Sequence, residues 1–285
     1  MHLAAKYREG YTAGSLVLDG SYKIMLIVAL LGIGCYLLAT TLVLQQFFTT
    51  QTHTPRRVLM VAWPAIVLHM LALGMTILQA QSVQNLSVIN VASLVALLIN
   101  IGLTIISQRQ NSWILLPFAY AFAIVLLFSN SVTPSHYLTS LGDRPGLVIH
   151  IALALLSYAM MSIASLFALL QVYLNYQLKQ RRKLNLHNVP PLLRIEKQLV
   201  RLLQIGGVLL TLSISSGFLF LDNMLAPSNL DKVGLSVIAW CIYATLLWGH
   251  YYRGWRGQRL VIMTLTGNVL LAVAYFGSRL LQSML

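Results

Sequence analysis

Apolar residues along the chain fall into eight blocks separated by short polar stretches, at about 24–44, 58–78, 86–106, 113–128, 146–173, 202–221, 233–252 and 260–281. Most approach the roughly 20 residues that a helix needs to cross the hydrocarbon core of a bilayer. The fourth block is short and contains Pro117. The pattern predicts an all-α polytopic membrane protein of about eight transmembrane helices. The two longest connections on one side, 129–145 and 222–232, are too short for separate domains. No internal repeat stands out, so residues 24–285 read as a single eight-helix domain.

Composition agrees with the pattern. The chain is 58% hydrophobic and 9% charged, whereas soluble domains carry about 25% charged residues. Its formal net charge of +13 raises the question of nucleic acid, but the placement of the charges answers it. Thirteen Lys and Arg lie in the connections after blocks one, three, five and seven, and six on the opposite side. Lys and Arg accumulate on the cytoplasmic side of membrane proteins. The richer side is therefore expected to be cytoplasmic, with both termini outside, and no nucleic-acid partner is implied. Three of the six exceptions, Lys6, Arg8 and Lys23, sit in the N-terminal segment 1–23. That segment has neither a clear structural pattern nor the features of a signal peptide, and Met25 is the expected native start.

The cytoplasmic connection 174–201 opens on a basic run from Lys179 to Lys183 and reaches Pro190-Pro191. Beyond it Leu192, Leu193, Ile195, Leu199, Leu202 and Leu203 recur on one helical face. This pattern predicts an interfacial amphipathic helix leading into the sixth span. Cys35 and Cys241 lie inside apolar blocks and form no CxxC, so neither redox nor zinc chemistry is signalled.

Candidate chemistry is confined to histidine. None of the six acidic residues falls at membrane depth, and Lys and Arg are absent from the span interiors. Coupled carriers usually need such groups inside the membrane. No nucleophile–base or carboxylate pair suggests an independent enzyme. Of seven histidines, His69 falls near the middle of the second span, His150 about one turn inside the fifth, and His250 near the inner end of the seventh. Small and polar residues flank two of them: Ala62, Ala65, Ala72 and Thr76 around His69, and Ala154, Ser157, Met161 and Ser165 below His150. The third span carries Asn90, Ser93, Asn100 and Thr104 on one face. Such stripes face other helices, and these three are expected to line one interior site. Imidazole suits iron, yet a histidine in a span also serves as hydrogen-bonded packing, and both readings stand. Near His250, the run Tyr251-Tyr252-Arg253-Gly254-Trp255-Arg256 reads either as an aromatic belt with topogenic arginines or as an anion clamp beside a ligand.

Several segments in order resemble the CcsA/HemX group of cytochrome c assembly membrane proteins. They are Gln84-Asn85-Leu86-Ser87, Gly146-Leu-Val-Ile-His150, Leu156-Ser157-Tyr158-Ala159, Leu247-Trp248-Gly249-His250-Tyr251, Gly254-Trp255-Arg256-Gly257 and Ala274-Tyr275-Phe276-Gly277-Ser278-Arg279. The resemblance implies a bacterial inner-membrane protein that binds or translocates non-covalent, b-type haem for cytochrome c biogenesis. It places His150 at the family's outer-face histidine and His250 at its intramembrane histidine. Asp231-Lys232, ahead of Ala239-Trp240, falls where the family's tryptophan-rich outer loop ends in an Asp-Pro-Lys element.

The expected ligand set is therefore His150, His250 and, from depth and face alone, His69. Asp231, Trp240, Arg253, Trp255 and Arg256 are the expected cofactor contacts. Helix rise puts His69 closer in depth to His150 than His250 is, so His69 with His150, or two separate sites, is the expected geometry. Two departures matter. The connection 222–232 has no tryptophan, and the chain ends near the family's second outer histidine. A complete outer bis-histidine site is not expected. The alternative is a scaffold or accessory subunit with a degenerate site, which binds another membrane protein. An electron carrier would need paired ligands for each haem.

Overall fold

The computed structural model describes residues 2–48, 55–78, 84–110, 112–132, 138–139, 144–180, 191–221 and 229–277. Among these, eight helices are long and apolar enough to cross a membrane. They are built on α1 (His2–Phe48), α2 (Pro55–Ile77), α3 (Val88–Gln110), α4 (Leu116–Val132), α5 (Pro145–Lys179), α6 (Leu192–Phe220), α7 (Leu230–Arg253) and α8 (Gln258–Ala272), the fourth span running Trp113–Val132 and the eighth Gln258–Gly277. The chain is thus the all-α polytopic membrane protein that its apolar blocks predict.

Three elements differ from the expectation. The helix of α1 begins at His2 and runs through the segment expected to lack structure. The fourth span opens with a 3-10 turn, Trp113–Leu115, and α4 starts at Leu116. Pro117 therefore sits in the first turn, where its missing N–H has no partner to lose, and α4 runs past the expected end to Val132. The amphipathic stretch after Pro191 is the start of α6 itself. Its face is covered by protein, with Ile195, Leu199, Leu202 and Leu203 all buried. Gln171 of α5 reaches Glu196 at 3.4 Å, and Gln110 of α3 donates to Gln198. Only part of the stretch, Leu193 among it, stays exposed for lipid.

The helices form two rings of four. In the first, α1 and α3 each pack on both α2 and α4; in the second, α5 and α7 each pack on both α6 and α8. The rings meet where α3 packs on α5. Because successive helices alternate in direction, one end of the molecule gathers the amino-termini of α1, α3, α5 and α7. That end, called the upper end below, also holds a two-residue antiparallel pairing of β1 (Gln84–Asn85) with β2 (Leu138–Thr139).

Candidate functional site

The second ring borders a half-open cavity of about 340 Å³ at its upper end. Leu147, Ile151, Ala154 and Leu155 of α5, Leu210 and Ile214 of α6, and Val233 and Val237 of α7 give it apolar walls. The amino-terminus of α3 closes one side through Val88 and Val91. On the remaining side α8 widens into a π-helical turn, Val273–Gly277, which turns Tyr275 and Phe276 to the cavity. Such turns recur at functional sites because the extra residue re-aims side chains. The Tyr275 ring lies 5.4 Å from that of Tyr158, which fixes it against α5.

His150 is the one residue of the expected ligand set that lines this cavity. Its Nδ1 lies 2.9 Å from the Ser213 carbonyl oxygen and 3.3 Å from Ser216 Oγ. A carbonyl only accepts, so Nδ1 carries the proton and the neutral ring keeps the lone pair on Nε2. Nε2 has no hydrogen-bond partner among the described residues. Ser216 Oγ in turn donates to the Ser213 carbonyl at 2.8 Å.

Close approach of α6 to α5 makes this contact feasible. A Cβ on Gly146 would fall 2.5 Å from the Phe220 ring, so only glycine fits there. One turn of helix below the cavity, Ser157 Oγ donates to the Gly206 carbonyl at 3.0 Å.

The second candidate histidine repeats the arrangement at the lower end. His250 Nδ1 lies 2.8 Å from the Trp255 carbonyl oxygen, so its Nε2 also keeps the lone pair. The loop that supplies this carbonyl depends on two left-handed residues, Gly254 at φ 67° and Gly257 at φ 63°, a conformation that glycine adopts without steric cost. It folds Trp255 over Gly249, where a Cβ would meet the indole at 2.2 Å. The arginines of the expected clamp each have a separate neighbour. Arg253 lies over the Trp248 ring at 5.1 Å, and Arg256 is 3.6 Å from Glu196 on a mostly exposed side chain. His250 lies outside the cavity of the second ring.

His69 departs from the expected geometry. It is fully buried in the first ring. Its Nδ1 meets Tyr36 Oη at 3.2 Å and its Nε2 meets Ser93 Oγ at 2.9 Å. Asn100 Nδ2 adds a 3.4 Å contact to Tyr36 Oη. Both ring nitrogens are thus engaged by protein, and iron could be bound only by displacing one of them. The α2 and α3 stripes converge on this network, whereas the α5 stripe faces α6. The three stripes line two interiors rather than one, and His69 does not share a site with His150.

The remaining expected contacts lie outside the cavity. Asp231 is exposed in the first turn of α7. Trp240 Nε1 donates to Thr211 Oγ1 at 2.8 Å and ties α7 to α6. Among the described residues no three of His, Cys, Asp and Glu gather as a metal centre. Lys232 and Tyr275 also line the cavity, although neither was among the expected contacts. Lys232 carries a sequence signal only through its place in the resemblance, and the aim of Tyr275 depends on a π-turn that hydropathy does not signal.

A family model described as "Cytochrome C assembly protein" matches residues 58–285. Over 262 residues the chain is 40% identical to the inner membrane protein YpjD of Escherichia coli strain K12, a match that covers 92% of this chain and 100% of that protein. Cytochrome c biogenesis protein CcsA of Prochlorococcus marinus strain MIT 9303 is 32% identical over 83 residues, 28% of this chain and 26% of that protein. The CcsA of Synechococcus sp. strain CC9605 is likewise 32% identical over 83 residues. No solved structure matches the chain.

Proposed function

The chain belongs to the cytochrome c assembly protein family, and on that premise we propose that it binds haem, for holding or translocation, in cytochrome c biogenesis at the bacterial inner membrane. The observation that carries the reading is the state of His150. Metal-ligating histidines almost always donate their other ring N–H to a carbonyl, carboxylate or water, which fixes the ring and presents the lone pair. His150 does this through the Ser213 carbonyl, beside a cavity with apolar walls.

The residues fit the group. Haem is an apolar macrocycle with an iron that accepts a neutral imidazole. The walls would take the macrocycle and His150 Nε2 the iron. Attachment would be non-covalent, because the chain has no CxxCH segment. Ligand sites span about 300–1,000 Å³, and 340 Å³ is near the lower bound. That size suits a cargo held at one edge better than a cofactor sealed inside. His250 offers the same imidazole chemistry at the other end of the ring, where we assign it a second, weaker contact.

Purified full-length protein from haem-replete cells is expected to carry a Soret band. His150→Ala should remove most of it and His250→Ala a smaller part. Retention of the whole band in the double variant would overturn the assignment.

A further inference from the structure

His69 takes no part in the cavity of the second ring, yet the first ring is organised around it. Along α3 the buried side chains of Asn90, Ser93, Asn100, Thr104 and Ser107 stand on one face. Asn90 and Ser107 lie 17 residues apart, about 25 Å of helix at a rise of 1.5 Å per residue. That is most of the roughly 30 Å hydrocarbon core. At the middle of this length the polar groups meet directly. Ser93 Oγ lies 2.9 Å from His69 Nε2, and His69 Nδ1 lies 3.2 Å from Tyr36 Oη, to which Asn100 Nδ2 donates at 3.4 Å. A neutral imidazole bonded at both nitrogens accepts at one and donates at the other. It can therefore take up a proton on one side while it releases one on the other, the property of a shuttle.

Above and below this segment, acceptors are left over. Asn90 Oδ1, Asn100 Oδ1 and Ser107 Oγ are buried and have no hydrogen-bond partner among the described residues. Buried polar atoms bond to protein or to ordered water, and a buried water itself makes about three such bonds. Each spare acceptor falls where the line of side chains is interrupted. Asn100 stands one turn from Thr104, whose Oγ1 lies 3.1 Å from Tyr120 Oη. The Tyr120 and Tyr36 rings are 5.1 Å apart. Ser107 continues the line toward the lower end. Asn90 continues it toward the upper end, where its Nδ2 donates to the Asn85 carbonyl at 2.8 Å. One water at each spare acceptor makes the line continuous. No Asp, Glu, Lys or Arg is among the side chains that build it.

We propose that the first ring is a passive path for protons across the membrane, with His69 as its relay. A proton that reaches Tyr36 Oη from the lower side forms a new O–H bond as the old one breaks and its proton passes to His69 Nδ1. His69 Nε2 then gives its proton to Ser93 Oγ, whose own proton leaves toward Asn90. One proton enters and one leaves, only O–H and N–H bonds break and form, and nothing is oxidised or reduced. Turning of the imidazole and the hydroxyls resets the line. The direct contacts at the middle pass protons and hold back water and ions. The path shares no side chain with the cavity of the second ring and stands apart from the haem reading.

The test uses full-length protein in liposomes that enclose a pH-sensitive dye. A potassium gradient with valinomycin drives protons inward, and the rate of acidification is compared with that of protein-free liposomes. The wild type should acidify faster, with no entry of sodium under the same potential. Two variants separate a relay from packing. His69→Gln keeps a donor and an acceptor at the centre, but its amide does not take up and release a proton. Tyr36→Phe keeps the ring and removes the hydroxyl. Each is expected to abolish the protein-dependent rate while eluting as the wild type does in detergent; should one misfold, the other decides. A wild-type rate no faster than that of protein-free liposomes overturns the proposal. So does an unchanged rate in folded His69→Gln or Tyr36→Phe, or sodium that enters with the protons.

Discussion

His69 and His150 are both histidines inside a membrane helix, and their hydrogen bonds give them opposite roles. His150 is held by one nitrogen and offers the other to a cavity. His69 is held by both. His69→Ala is therefore expected to leave the Soret band unchanged while it strands Tyr36 Oη and Ser93 Oγ in a dry interior. A buried polar group without its partner costs about 1–3 kcal/mol, which should appear as a lower midpoint of thermal unfolding in detergent. An unchanged midpoint would remove the packing role given to His69. Depth along the spans was legible in the sequence for all three histidines. The partners of His69 and His150 were not, because they come from 24, 33 and 63 residues away. Lys232 stood out in the sequence only through the resemblance, and the assembled wall is what reveals that it borders a cavity.

At the scale of elements, eight spans could be read because long apolar runs have few alternatives. Element ends were less legible. Pro117 suggested a weak fourth helix, yet a proline in the first turn favours a helix start. The Leu-rich face before the sixth span suggested contact with lipid, and α5 and α3 cover it instead. The turn between α7 and α8 shows how local backbone supports a site. Gly254 and Gly257 reverse the chain, Trp255 covers Gly249, and the Trp255 carbonyl fixes the His250 tautomer. Gly249→Ala forces the indole to move, since rigid ring atoms stand 2.2 Å from the new Cβ. We expect altered tryptophan fluorescence and loss of the His250-dependent share of haem, with the His150 share retained. Fluorescence identical to wild type would contradict this account of the turn.

At the scale of the molecule, the two rings divide the labour. The first ring is tied by a buried polar network from Tyr36 through His69 to Ser93, with Asn100 on the Tyr36 hydroxyl. The second ring holds the cavity at one end and His250 at the other. This division was not legible in the sequence, because the small and polar stripes of α2, α3 and α5 look alike there. From the asymmetry of Lys and Arg, thirteen against six, the cavity end is expected to lie outside. With Cys35 and Cys241 replaced by alanine, Lys232→Cys should react with an impermeant maleimide from the periplasm. Arg256→Cys should react only after the membrane is opened. The reverse pattern would invert the topology and put the cavity on the cytoplasmic side.

The central claim is that His150, and not His69, is the imidazole that meets haem in this fold. The optical spectrum of purified full-length protein from haem-replete cells tests it most directly, with His150→Ala and His69→Ala prepared in parallel. The account predicts a Soret band in the wild type and in His69→Ala, and the loss of most of it in His150→Ala at unchanged yield of folded protein. A wild type without the band, or a band lost with His69 and kept without His150, would contradict it.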